Sequence, residues 1–227
     1  MMLYPVGLNL EEKICLIIGF GKVGQRKLSG LKICRPKAVH VLDLRTFESL
    51  EDEVKILLRD PSVEYSARPW KQSDLEGKFL VFACTGDKVE NIRIAKSCRE
   101  NNIICNCTSS PLSGTMQVPS IARKNDSYVA LSTGGASPYL SRKWRKELDD
   151  WLQAKNTFIL LMKRLRPLIL SLNYDSKQNR KIFQAMAESP LDSLIKDNDK
   201  RKSESLLKTL LPEALHPYIS EVINDIS

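Results

Sequence analysis

The chain is poor in histidine: His40 and His216 are the two in 227 residues, which excludes a centre built on several imidazoles. Its six cysteines, Cys15, Cys34, Cys84, Cys98, Cys105 and Cys107, form none of the Cys-x-x-Cys pairs that hold zinc, and no charged-then-apolar leader opens the sequence. Free thiols in a reducing cytoplasm are the expectation. No apolar run approaches the roughly 20 residues that cross a bilayer, so the chain reads as soluble with no membrane partner. It also lacks a zinc finger, an aromatic-rich RNA-binding signature and an extended basic tail, which argues against nucleic acid. Carboxylates vanish over one long stretch, with none from Asn101 through Asn125.

What is present is a hydrophobic fraction of 42%, enough to bury a core, and a formal net charge of +8, which favours anionic partners. From Lys13 to Cys107, short apolar runs alternate with longer amphipathic ones, the rhythm of a parallel α/β sheet. Strands are read at KICLIIGF, AVHVLDL, SVEYSA, KFLVFACT and NIICNCT. Helices are read at KVGQRKLSGLKIC, over residues 47–60, and at VENIRIAKSCREN. Right-handed crossovers make this a doubly wound sheet ordered 3-2-1-4-5. Beyond Thr108 the texture turns rich in Ser, Pro and Gly, then SYVALSTG reads as one more strand. From Ser137 onward the sequence is helical, its Ser-Pro start suiting a helix N-terminus. Trp144 and Trp151, seven residues apart, share one helix face and could anchor an interface. KDNDKRKSES is read as a solvated loop or helix end.

Gly19, Gly21 and Gly24 in IIGFGKVG fall at the first strand-to-helix turn with G-x-G-x-x-G spacing. Gly19 allows the tight turn, Gly21 the approach of a pyrophosphate, and Gly24 the packing of helix on strand. The N–H groups of Lys22 and Val23 open the helix toward the phosphates. Asp43 ends the second strand, where a carboxylate accepts hydrogen bonds from ribose hydroxyls. NAD is therefore expected over NADP, a preference tempered by Arg45; Leu44 lies between them. Thr85, at the end of the fourth strand, faces the same crevice. The bland alternative is that the glycines merely serve a turn and Asp43 merely caps a strand.

With these motifs, and with Pro119-Ser120 and STGGASPYLSR from Ser132 to Arg142, the chain resembles the precorrin-2 dehydrogenases, including the corresponding part of siroheme synthases. The resemblance implies a Rossmann-type α/β domain, a small dimerisation segment and a C-terminal helical region, drawn at 1–112, 113–150 and 151–227. It implies NAD-dependent oxidation of precorrin-2 to sirohydrochlorin, in some members followed by ferrous-iron insertion, in a homodimer. Ser110, Ser113, Gly114, Thr133, Gly134, Gly135 and Arg142 are the substrate-binding candidates. Arg123, Lys124, Arg142, Lys143, Arg145 and Lys146 suit a polycarboxylate, although any one of them also fits a solvated helix face.

One departure stands out. Relatives end their fifth strand in an aspartate that serves as base and assists metal insertion; here the stretch is Asn106-Cys107-Thr108-Ser109. Ser109 occupies the catalytic position without a carboxylate. Substrate carboxylates, a held water or Asp126 remain as bases, Asp126 ranking below the others because a turn beside Asn125 explains it. Cys105 and Cys107 are expected on opposite sides of the fifth strand, packing the core and not sharing an ion. No metal site is assigned, and dehydrogenation without efficient ferrochelatase activity is the expectation. Two alternatives stay open: a non-enzymatic NAD sensor, and a tetrapyrrole-binding protein that has lost its chemistry.

Overall fold

The computed structural model describes residues 3–226, and the chain divides between Val118 and Pro119 into two compact units. In the first, β1 (Ile14–Ile18), β2 (Ala38–Asp43), β3 (Val63–Ala67), β4 (Leu80–Ala83) and β5 (Ile104–Cys107) form one sheet ordered β3-β2-β1-β4-β5. Every neighbouring pair is parallel. The order reverses between β1 and β4, which opens a crevice beyond their carboxyl ends.

The period of two along each strand sorts the core into two layers. Cys15 and Ile17 of β1 pack with Val39, Val41, Leu28 and Leu31 beneath α1 (Lys22–Ile33), and with Val54 and Leu58 of α2 (Asp52–Leu58). Leu16 and Ile18 face the other way, packing with Val81, Ile94, Ala95 and Cys98 beneath α3 (Lys88–Glu100). Because both faces are covered, β4 reads LVFA and is buried throughout. Each fully buried aliphatic side chain contributes roughly 1.5–3 kcal/mol.

Several expectations are corrected in this unit. The helix read over 47–60 is a short turn at Phe47–Ser49 followed by α2; Leu50 and Glu51 are extended between them, and Leu50 is buried in the sheet's core. Cys105 and Cys107 share one side of β5: two residues apart on a strand, both point into the α3 layer with Cys98. The first boundary, placed at 112/113, falls short of the division after Val118. Thr115 and Met116 donate their N–H groups to the Cys105 carbonyl, which ties this segment to the sheet edge.

The second unit begins with an antiparallel hairpin, β6 (Ser120–Lys124) and β7 (Ser127–Leu131). The sequence revealed β7 but not β6, whose SIARK composition has little strand signal apart from its partner. Asn125 has φ +51° in the turn between them. Next comes α4 (Pro138–Leu170), 33 residues without a break, so the boundary expected at 150/151 falls inside a helix. Ser137 caps it, accepting the Leu140 N–H at 3.2 Å, and Pro138 occupies the position where a missing N–H costs nothing. Leu161, Leu165 and Ile169 recur at helical spacing and pack against Met186 of α5 (Ser176–Glu188), Leu191 of α6 (Leu191–Lys196), Leu207 of α7 (Lys200–Leu210) and Ile219 of α8 (Ile219–Asp225). The KDNDKRKSES stretch is a short connection and then the first turns of α7. Trp144 and Trp151 both stand exposed on α4. Among the described residues, no helix is long and apolar enough to cross a membrane.

Candidate functional site

The glycine turn joins β1 to α1, and its three glycines do three different jobs. Gly19 has φ +91°, and a Cβ there would lie 2.6 Å from the backbone of Cys84 and Thr85. Gly24 would bring a Cβ within 2.3 Å of the Gly19 carbonyl oxygen, so the helix meets the strand at closest approach here. Around Gly21 nothing lies within 4 Å of that position. Two glycines are thus demanded by the protein's own packing, and the third leaves open space above the helix start. Gly21 is the N-cap of α1 and brings no capping side chain, so the first N–H groups of the helix, those of Lys22 and Val23, have no side-chain acceptor at the cap. This cradle fits a dinucleotide diphosphate.

The second-strand carboxylate sits beside the turn. Asp43 Oδ2 accepts the Phe20 N–H at 2.6 Å, which fixes the turn between the first two glycines. Asp43 Oδ1 accepts both the main-chain N–H and the Nε of Arg45, at 3.0 and 2.9 Å. Arg45 Nη2 then donates to the Phe20 carbonyl at 2.9 Å, closing a clamp over the turn. Partial burial opposes ionisation of Asp43, but the bonds from Arg45 and Phe20 outweigh it and hold the carboxyl below its usual range. Tyr65, through its hydroxyl, donates to the Arg45 carbonyl at 2.7 Å, and its ring packs edge-on against Phe20. Leu44 is exposed beside the clamp.

At the ends of β4 and β5 lies a residue the sequence reading missed. Asn91 of α3 is fully buried, and its side chain is saturated. Its Oδ1 accepts the Thr85 N–H at 2.9 Å, and its Nδ2 donates to the Thr85 carbonyl at 3.0 Å and to Ser109 Oγ at 3.0 Å. One amide thereby joins the two strand ends that border the crevice. The available signal was an Asn on the apolar stripe Asn91, Ile94, Ala95, Cys98, a polar residue at a core position. Thr85 is drawn into this network: its hydroxyl lies 2.8 Å from Asn91 Oδ1 and 3.0 Å from the Asp87 carbonyl. Ser109 remains exposed, with its oxygen held from behind.

The other candidates fall into two groups. In the first unit, Ser110 and Ser113 bond to each other through their hydroxyls at 2.8 Å, and Arg99 donates to the Ser113 carbonyl. Gly114 is buried; a Cβ there would lie 2.7 Å from the Cys105 carbonyl oxygen, so this glycine serves packing on β5. In the second unit, Thr133 Oγ1 lies 3.1 Å from Ser141 Oγ, and Gly134 and Gly135, at φ +62° and +86°, turn the chain into α4. Arg142 is exposed on the first turns of that helix. Asp126 is paired with Lys163 at the hairpin tip. Of the two histidines, His40 lies 3.3 Å from Glu64 and His216 contacts the Leu211 carbonyl. Among the described residues, no three His, Cys, Asp or Glu side chains gather as metal ligands.

Known proteins resemble the chain in sequence and in fold. Siroheme synthase of Nitrosomonas eutropha is 28% identical over 222 residues, which is 96% of this chain and 46% of that protein. Siroheme synthases of Thioalkalivibrio sulfidiphilus and Buchnera aphidicola are 26% and 28% identical over 95% and 90% of the chain, and 43% and 42% of their own lengths. The chain thus spans less than half the length of these curated relatives. Among solved structures, SirC, a precorrin-2 dehydrogenase, superposes with a TM-score of 0.71 at 20% identity, over 92% of this chain and 98% of that one, a likeness of fold. The NAD(P)-binding model NAD_binding_7 matches residues 6–120, covering the glycine turn, the Asp43 clamp and the Asn91 network. By that match across half its length, the chain belongs to this NAD(P)-binding family.

Proposed function

We propose that the chain is an NAD-dependent precorrin-2 dehydrogenase that oxidises this polycarboxylate tetrapyrrole to sirohydrochlorin in the cytoplasm, as a homodimer, with little or no ferrochelatase activity. The observation that carries the reading is the diphosphate cradle above Gly21 in a chain that aligns over nearly its whole length with siroheme synthases. In this reading NAD supplies the hydride acceptor. Lys22 and Val23 hold its diphosphate by their N–H groups, and the clamp of Asp43 and Arg45 meets its adenosine ribose. Exposed basic residues of α4, Arg142 among them, pair with the substrate's carboxylates.

Loss of hydride from the macrocycle must be matched by loss of a proton. Ser109 is a poor acceptor for it, since Asn91 already donates to its oxygen. The proton passes to a substrate carboxylate or to a water held at Ser109. Iron insertion demands more, because the metal needs a ligand and the pyrrole N–H groups need acceptors. No carboxylate lies between Asn101 and Asn125 to supply either.

Purified protein mixed with precorrin-2 and NAD tests this. The enzyme reading expects NADH and the sirohydrochlorin spectrum at a catalytic rate, with ferrous iron leaving the product largely unmetallated. NAD binding without turnover would instead identify a sensor, and tetrapyrrole binding without NADH a carrier that has lost its chemistry.

A further inference from the structure

A carboxylate at the end of the second strand repels a 2′-phosphate, but a carboxylate is not what this site presents. The Asp43 side chain is 12% exposed, against 47% for that of Arg45. Both Asp43 oxygens are engaged, Oδ2 by the Phe20 N–H and Oδ1 by two donors of Arg45. The guanidinium lies outermost. Its Nε and Nη2 are anchored on Asp43 and on the Phe20 carbonyl, while Nη1 has no acceptor among the described residues. The backbone beneath it is held by Tyr65, so the fork is set in place before any ligand arrives. A paired carboxylate behind and an exposed planar cation in front make a surface that attracts an anion.

We infer that Arg45 lets the dinucleotide site accept a 2′-phosphate, so that the chain binds NADP as well as NAD, with the free edge of the guanidinium meeting the phosphate. This rests on the reading that the glycine turn binds a dinucleotide. It changes the preference drawn from the sequence: Asp43 excludes NADP only where its carboxylate faces the ligand, and here Arg45 stands between them.

Calorimetric titration of the full chain with NAD and with NADP tests the inference, alongside adenosine 2′,5′-bisphosphate against adenosine 5′-monophosphate. The dissociation constants for the two dinucleotides are expected within about tenfold of each other, and the bisphosphate is expected to bind more tightly than the monophosphate. Arg45→Ala should move the NAD-to-NADP affinity ratio toward NAD by about tenfold or more, the size of one charge-assisted phosphate contact. Arg45→Lys should move it less. NADP binding more than about 100-fold weaker than NAD in the unmodified chain would overturn the inference and leave the dinucleotide reading intact. So would an unmoved ratio in Arg45→Ala at an unchanged melting temperature. Binding of neither dinucleotide would overturn both. Should Arg45→Ala fail to fold, the titrations of the unmodified chain decide the matter.

Discussion

Asn91 Nδ2 donates to Ser109 Oγ, and the direction of that bond is imposed by the backbone. The Thr85 N–H can only donate and the Thr85 carbonyl can only accept, so the Asn91 amide has one workable orientation. The Ser109 oxygen therefore accepts, and its own proton has no acceptor among the described residues. At the position where the resemblance implies a base, this chain offers a donor.

Ser109→Asp should restore a base. A carboxylate at 109 meets a ready-made donor in Asn91 Nδ2, and a positioned base typically contributes about 10²–10⁴-fold. Dehydrogenation of precorrin-2 is expected to accelerate by about 10²-fold, with a new acidic limb in the pH profile of kcat/KM. Ser109→Ala should change kcat by no more than a few-fold. Loss of all turnover in Ser109→Ala, measured by NADH formation, would mean that the proton leaves through the serine or a water it holds and not through a substrate carboxylate.

Replacing Asn91 strands partners it now satisfies. Asn91→Leu keeps the branched shape of the side chain but removes the partners that the buried Asn91 gives the Thr85 N–H and carbonyl. Each orphaned group costs about 1–3 kcal/mol, so the midpoint of urea unfolding should fall measurably with an unchanged slope. An unchanged midpoint would show that the network contributes nothing to stability.

The glycines separate packing from binding. Gly24→Ala puts a methyl group 2.3 Å from the Gly19 carbonyl oxygen and should lower the melting temperature sharply. Gly21→Ala meets open space and should melt near the unmodified chain, yet bind NAD less tightly because the methyl group occupies the approach to the α1 N–H groups. Equal effects of both on folding would remove the distinction.

Acid stability has a traceable contribution at Asp60. Hydrogen bonds from the Ser62 hydroxyl, then from Lys32 and the Ser62 N–H, hold its carboxyl at about 2. The folded value lies below the unfolded one of about 3.9, so the stabilisation is fully present above that pH and is lost as pH falls through the folded value. The melting-temperature gap between the unmodified chain and Asp60→Asn should therefore be widest above about pH 5 and close toward about pH 2. A gap that widens on acidification would contradict the assignment.

The first unit was legible because its signals are local and periodic. Alternating apolar runs gave five strands and their order, and the glycine spacing placed the first strand-to-helix turn where the structure has it. What escaped depends on contacts between distant segments. The β6 strand exists through its pairing with β7, and the break before α2 through the burial of Leu50. The Asn91 bridge joins residues 18 positions apart. The clamp escaped for the same reason: adjacency of Asp43 and Arg45 is visible in the sequence, but which of the two faces outward is decided by Phe20 and Tyr65.

The position of a bound dinucleotide tests the central claim most directly, and a crystal structure of the protein with NAD would measure it. The expected result is a diphosphate against the N–H groups of Lys22 and Val23, in the space beside Gly21, with the adenosine ribose at the Asp43 and Arg45 clamp. A diphosphate bound elsewhere, or an empty turn at saturating NAD, would contradict it.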